Sequence, residues 1–411
     1  MPGARSLTAA TRPAFWSASS SKTSASLLGK CLSSVVVETS AAAPASSSAH
    51  GIDVAVYDAD ASATARDQGG TLDMHPDTGQ RALRAGGLWP GFTALARPEG
   101  EQMRLVARDG RVLFDAAPPQ NDQGNPEIDR GQHRDLLLGS LAPGTVRWGH
   151  KLERAEPLGD GRHRLHFAHG LSAGTDLVVG ADGAWSRVRR MLTDAVPIHT
   201  GVTFVETGLN DADTRHPSLA ALTGNGTMMA LDNNLGFVAQ RNSGGHIRVY
   251  VGMRTPPQDW HRQAGVDLTD PVAVRDALLH RFADWSPALR GFITDTDTGY
   301  TNRPLFALPV PHTWEPIPGV TLLGDAAHLM SPFSGMGANL VMRDGADLAQ
   351  ALTEHATADG AVTAYEKILI PRSVEAAEGA AEGIDGAFAP DSAEQALAHM
   401  TAHMTAHMTA H

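Results

Sequence analysis

Apolar positions along this chain follow two rhythms. The first is the unbroken run: Ile52-Asp53-Val54-Ala55-Val56-Tyr57-Asp58, Leu177-Val178-Val179-Gly180 and Val320-Thr321-Leu322-Leu323. Such runs, rich in β-branched residues and stopped by an acid or a glycine, read as parallel strands buried on both faces. Between about residues 196 and 294 the rhythm becomes alternation. Residues 235–241 and 246–252 alternate around Asn242-Ser243-Gly244-Gly245, the pattern of a hairpin in an antiparallel sheet with one face free to line a pocket. Val274, Leu278 and Phe282, with Trp285 just beyond, recur at helical spacing and predict packing rather than chemistry. Helices are also predicted over 132–138, from about Leu340 to Leu348, and in the Ala/Glu-rich stretch from Ala361 to about Ala398, which is expected to pack across the rest. The sum is an α/β fold. A Rossmann-like domain in two parts, 51–195 and 295–358, carries an inserted antiparallel-sheet domain, 196–294, and a C-terminal helix, 359–398.

The densest chemistry follows the run at 320–323. Gly324-Asp325-Ala326-Ala327-His328 leads to Pro332-Phe333-Ser334-Gly335-Met336-Gly337-Ala338-Asn339 and then to the predicted helix. A glycine-rich loop between strand and helix aims backbone N–H groups and the positive helix end at one point, which suits an anion or an electron-rich ring edge. Asp325, at a strand end, can accept hydrogen bonds from sugar-like hydroxyls. FAD has both features, a polyol chain and a flavin ring that becomes anionic when reduced.

Other strand ends add to this. Asp58 occupies the place of the acid that closes the second strand of a dinucleotide-binding unit, a solvated strand end being the lesser alternative. Gly69-Gly70-Thr71-Leu72-Asp73 is a tight glycine turn before a carboxylate, close after the cation Arg66. Arg130 and Arg134 flank the start of a helix, and each taken alone reads equally as a surface charge. Asp182-Gly183, with Ser186 and Arg189, forms a second strand-end turn.

Composition narrows the classes. A chain of 411 residues can bury a large core, and a net charge of -12 with pI near 5.8 speaks against general affinity for nucleic acid or anionic membranes. No apolar run approaches the roughly 20 residues that span a bilayer. The only cysteine, Cys31, forms no intramolecular disulfide, so a reducing cytoplasm is the expected location and no metal site is expected. A monomer is expected.

The two ends depart from the pattern. Residues 1–50 are Ser/Ala-rich, with Glu38 the single acid; their best strand is Ser34-Val35-Val36-Val37-Glu38. They read alike as a transit peptide, low-complexity disorder or the product of an altered reading frame. No glycine lies between Gly29 and Gly51, although a G-x-G-x-x-G turn belongs about 20 residues before Asp58. At the other end, residues 399–411 repeat an Ala-His-Met-Thr unit, better read as a frayed tail than as a metal site.

Asp58, Arg66, the Gly69 to Asp73 phrase, Asn125-Pro126-Glu127-Ile128 through Arg134, Gly180-Ala181-Asp182-Gly183 and Gly324-Asp325 through Asn339 together resemble the class A flavoprotein monooxygenases. The para-hydroxybenzoate hydroxylase fold is implied, and the resemblance is nearest to the TetX-type tetracycline-inactivating enzymes; it runs from about Gly51 to about Asp391. It implies that Asp325 binds the FAD ribityl chain and that Asp73 and Arg130 hold the cofactor. Asp58, Arg134, Asp182 and Gly183 join that set, and Arg66 assists NADPH. Pro332, Phe333, Gly335, Gly337, Ala338 and Asn339 would lie along the flavin. The implied reaction reduces FAD with NADPH, captures O₂ as a flavin C4a-hydroperoxide and hydroxylates a tetracycline-like or other aromatic polyketide. Thr227 and Arg248 fall where the family has an arginine and a histidine for the substrate's polar edge, and Gln240 where asparagine is usual. Met229 and Phe333 complete the substrate set. The alternatives are a relative with weakened FAD binding and a flavin oxidoreductase of another kind on the same fold.

Overall fold

A computed structural model of the chain describes residues 35–40, 52–116, 124–255, 260–395 and 397–398. Most of the N-terminal segment and the histidine repeat therefore lie outside the described residues.

The apolar runs form the centre of a five-stranded sheet, in the order Val320–Leu322, Leu177–Ala181, Val35–Ser40, Asp53–Asp58 and Val146–Arg147. Leu177, Val178, Val179, Val320, Leu322 and Leu323 have no exposed surface. Burying each such side chain favours folding by roughly 1.5–3 kcal/mol. Gly180 is needed here because a Cβ would stand 2.6 Å from Val188 Cβ and 2.7 Å from Leu322 Cδ2. Leu177–Ala181 runs parallel to Val320–Leu322, and Asp53–Asp58 parallel to Val146–Arg147. Val35–Ser40 does not follow them. It pairs antiparallel with both neighbours, Val35 facing Asp58 on one side and Ala181 on the other.

The alternating segments build a seven-stranded sheet, ordered Thr301–Ala307, Ile198–Leu209, Ile247–Arg254, Leu235–Arg241, Thr227–Asp232, Met103–Val106 and Val112–Ala116. It thus takes two strands from before residue 196 and one from after residue 294. The hairpin is present: Asn242 N–H donates to the His246 carbonyl at 2.8 Å, and Gly244 and Gly245 hold φ of 68° and 69°. Alternation sorts the two faces. Met228, Ala230, Phe237, Ala239, Val249 and Val251 point into a core closed by Val274, Leu278, Phe282 and Trp285, the helical set legible in sequence. Thr227, Met229, Gln240, Arg248 and Tyr250 belong to the opposite face, since directly paired residues share a side.

The last long helix, Ala358–Ala387, joins both sheets. Ala361, Val362, Tyr365 and Leu369 pack on the parallel-sheet core, whereas Ile384 and Ala387 lie with Phe388 against Val202, Phe204 and Leu231. It ends earlier than its composition predicts, at Phe388, where the chain turns so that this ring fills the seam. No described helix is long and apolar enough to cross a membrane.

Candidate active site

Asp325 opens a short helix, Asp325–His328, directly after the strand Val320–Leu322 and the positive-φ Gly324. Its side chain keeps an exposed surface although protein surrounds it, as at the floor of an open cleft. Burial pushes its carboxyl pKa up, against the pull of His328, Arg130 and Arg189. Among the described residues the Asp325 carboxylate has no hydrogen-bond or ion-pair partner, and neither has the Arg130 guanidinium. An acceptor and a cation, each without a partner among the described residues, thus lie close enough for Arg130 to act on the Asp325 charge.

The walls of that space are tied together by buried polar groups. Arg189, 2% exposed, donates to the carbonyls of Ala184, Asp325 and Ala326 at 2.7 to 2.9 Å, clipping the Asp182-Gly183 turn to the Asp325 loop. The Asp182 carboxylate is spent on its own turn, accepting from Ser186 Oγ and from Arg187 N–H. Asn339 is wholly buried; its Oδ1 accepts from His75 N–H, Thr78 Oγ1 and Gly79 N–H, and its Nδ2 donates to the Asp73 carbonyl at 2.9 Å. It therefore fixes the loop after Asp73 to the start of the helix Gly337–Glu354. Asp73 itself pairs with His75 at 2.7 Å, and this hydrogen bond, with the neighbouring charge, raises the His75 pKa.

The glycines leave room where a ligand would need it. A Cβ on Gly337 would meet nothing within 4 Å, and one on Gly335 only Asp73 Oδ2 at 3.8 Å. Pro332 and Gly335 are exposed, with Gly337 and Ala338 partly so, ahead of an 18-residue helix whose first amides have no partner within the helix. Phe333 turns away from them toward the antiparallel sheet, with ring centroids 5.6 Å from Phe388 and 6.1 Å from Phe204.

The glycine turn brings the two sheets together. Gly69 and Gly70 adopt φ of 58° and 59°; a Cβ on Gly70 would lie 3.1 Å from Tyr250 Oη, 3.8 Å from Gln240 Oε1 and 3.9 Å from Arg130 Nε. Arg248 pairs with Gln240, which pairs in turn with Thr227 on the next strand, so these three side chains form one polar row. The Arg248 guanidinium bridges Asp67 at 2.7 Å and Glu206, and Arg303 also holds Glu206. Met229 and Tyr250 pack two positions further along, against the Phe204, Phe333 and Phe388 wall.

Arg66, Arg134 and Asp58 gather elsewhere. Arg66 pairs with Asp60 at 2.8 Å; Arg134 lies 3.5 Å from Asp60 and 4.0 Å from Asp58, over the Trp148 ring. Asp58 is 3% exposed, and burial raises its carboxyl pKa to about 6. The sequence reading passed over Tyr250, whose hydroxyl has no hydrogen-bond partner among the described residues; it sits one alternation step after Arg248, so the period alone points to it.

These residues fit the flavin and polyol part of FAD: a free carboxylate for hydroxyls, a free guanidinium, a helix N-terminus and uncrowded glycines along one edge. The pyrophosphate part lacks its glycine turn, since no glycine lies between Gly29 and Gly51.

A family model described as FAD binding domain matches residues 317–375, the stretch that carries Asp325 and the glycine loop. Monooxygenase asqM of Emericella nidulans is 30% identical over 368 residues, covering 75% of this chain and 82% of that protein. The structure of HpxO from Klebsiella pneumoniae complexed with FAD and uric acid shares the fold, with a TM-score of 0.66 at 18% identity over 84% of each chain. Tetracycline destructase Tet(55) gives 0.64 at 19% identity, over 84% of this chain and 86% of that one. Identity of 30% spread across most of both chains, together with the flavin-side loop, places the chain among the FAD-dependent monooxygenases, the family to which it belongs.

Proposed function

We propose that this protein hydroxylates an aromatic polyketide of the tetracycline kind, with NADPH as reductant and O₂ as oxygen source. The observation that carries the reading is the composition of one sheet face: the polar row Thr227, Gln240, Arg248 with the Tyr250 hydroxyl, beside the apolar wall of Met229, Phe204, Phe333 and Phe388. Such a surface matches a fused-ring substrate with one polar edge, which is satisfied only where donors and acceptors are already in place. The likeness to a tetracycline destructase in fold agrees with it.

A flavin bound here would supply the redox chemistry, by which NADPH, a proton and O₂ would give NADP⁺, one oxygen atom in the substrate and one water. The chain's own task is placement. Asp325 would hold polyol hydroxyls, and Arg130 would offset the cofactor's negative charge. The amides of Gly337 and Ala338 at the helix start, with Pro332 and Gly335 beside them, would favour negative charge on a flavin ring. Asp73 and Asn339 keep those loops in register, while Asp182, Gly183 and Arg189 fix the opposite wall. Arg248, held by Asp67 and Glu206, presents a fixed donor toward substrate, and the phenylalanine wall keeps water from the reacting carbon. Acting on tetracycline, such a reaction would be a form of antibiotic inactivation.

The test is incubation of flavin-loaded protein with NADPH and tetracycline under air. Substrate-dependent NADPH oxidation with a product one oxygen atom heavier supports the reading. Protein that carries flavin yet leaves tetracycline and simpler aromatic polyketides unchanged overturns it.

A further inference from the structure

Two halves of one cofactor site are built to different standards here. On the flavin side the carboxyl ends of Leu177–Ala181 and Val320–Leu322 deliver Asp182 and Asp325 to the same edge, and Arg189 locks their loops together. On the other side three observations converge.

The first is direction. In a dinucleotide-binding unit the turn after the first strand sits at the carboxyl edge of the sheet, where its glycines and the following helix start receive the pyrophosphate. Val35–Ser40 fills the central slot but runs the other way. Its first residue, Val35, lies opposite Asp58 and Ala181 at the carboxyl edge, whereas Ser40 lies opposite Asp53 at the amino edge. Ser40 and Asp53, the end of this strand and the start of the next, thus both stand at the edge away from Asp325. The second is composition. Between the two strands the sequence runs Ala41-Ala42-Ala43-Pro44-Ala45-Ser46 with no glycine before Gly51, so it lacks the residue type that lets a backbone approach a phosphate closely. The third is Asp58, the acid placed to receive the adenosine ribose. It is buried, its Oδ1 accepts the Asp60 N–H at 2.8 Å, and Arg134 and Asp60 close over it.

We infer that this chain holds its cofactor by the isoalloxazine and ribityl half alone, so that FMN and riboflavin occupy the site about as well as FAD does. The ADP half of FAD then adds little affinity. This rests on the flavin reading of the cleft, and it assigns the chain a wider cofactor class, the flavins as such.

Flavin-free protein titrated with FAD, FMN and riboflavin, followed by quenching of flavin fluorescence, tests it. Dissociation constants for FAD and FMN within roughly threefold of one another are expected, as is failure of millimolar ADP to displace FAD. FAD binding more than roughly thirtyfold tighter than FMN, or displacement of FAD by ADP, overturns the inference and leaves the flavin reading standing. Failure of all three flavins to bind a protein with a native far-ultraviolet circular dichroism spectrum overturns the flavin reading itself.

Discussion

His328 Nε2 stands 2.6 Å from Asp344 Oδ2, with both side chains buried. The same oxygen accepts the Gly324 N–H at 3.1 Å, and Asp344 Oδ1 accepts from Arg372 at 2.9 Å. One carboxylate thus ties the Asp325 loop to the two long helices Gly337–Glu354 and Ala358–Ala387. Burial pulls the His328 pKa down, but the charge and hydrogen bond of Asp344 prevail and raise it. Removing one member of a buried pair leaves the other charge uncompensated, at a cost of about 3–5 kcal/mol. Asp344→Ala is therefore expected to lower the unfolding free energy by about that amount in urea titrations. The pH sign follows from the raised value. Stabilisation from His328 is complete below its unfolded pKa and is lost as pH climbs through the folded one. Asp344→Asn should flatten this slope; a slope unchanged in the variant would show that the pair does not carry it.

Glu127 gives a second, separable pH effect. The residue is 7% exposed; its carboxyl accepts from Thr71 Oγ1 at 2.8 Å and is pushed by burial from 4.5 to about 7. At about 1.4 kcal/mol per unit the protonated form contributes ~3 kcal/mol to the folded state. Because the folded pKa is the higher one, this contribution is present below the unfolded value and gone above about pH 7. Glu127→Gln, which mimics the protonated form, should remove the fall in stability between those limits. Thermal unfolding of both proteins across that range decides, and parallel curves would exclude Glu127 as the source.

How much of this was legible in the chain depends on whether the signal is local. The strands at 53–58, 177–181 and 320–322 announce themselves because a buried parallel strand must be apolar throughout. The Asp325 loop does so because glycine, acid and helix start stand side by side in sequence. The polar row of Thr227, Gln240 and Arg248 came from resemblance, and only strand register shows that the three share a face. What escaped is held by distant partners. Asp344 and Arg372 are 28 residues apart, and Asn339 meets His75 across 264 residues, so no window along the chain contains either pair. Direction escaped as well. An apolar run such as Val35-Val36-Val37 predicts a strand but carries no mark of which way it enters a sheet.

Asp325 pits stability against binding. A carboxylate whose pKa burial has raised, with no partner among the described residues, opposes folding at neutral pH. Asp325→Ala should leave the unfolding free energy unchanged or higher, while flavin affinity drops roughly tenfold to a hundredfold, the loss of about one charged hydrogen bond. Denaturant titration beside flavin titration reads both. A variant that is less stable and binds flavin normally would make Asp325 a structural residue.

Tyr250 separates substrate binding from fold in the same way. Its ring is packed, with its centroid 5.5 Å from that of Phe204, whereas its hydroxyl faces Gly70 and the Arg130 side without a hydrogen-bond partner among the described residues. Tyr250→Phe keeps the ring contact and removes only the oxygen. Stability is therefore expected to change by less than about 0.5 kcal/mol, as for a substitution that breaks nothing. If the hydroxyl meets the polar edge of the substrate, KM rises roughly tenfold, near 1.4 kcal/mol, while NADPH oxidation at saturating substrate is kept. A fall in kcat at unchanged KM would instead place the hydroxyl at the flavin, where Gly70 and Arg130 also point. Either kinetic result assigns the face of the sheet that Tyr250 shares with Arg248 and Gln240. Wild-type values for both constants would remove this face from the site.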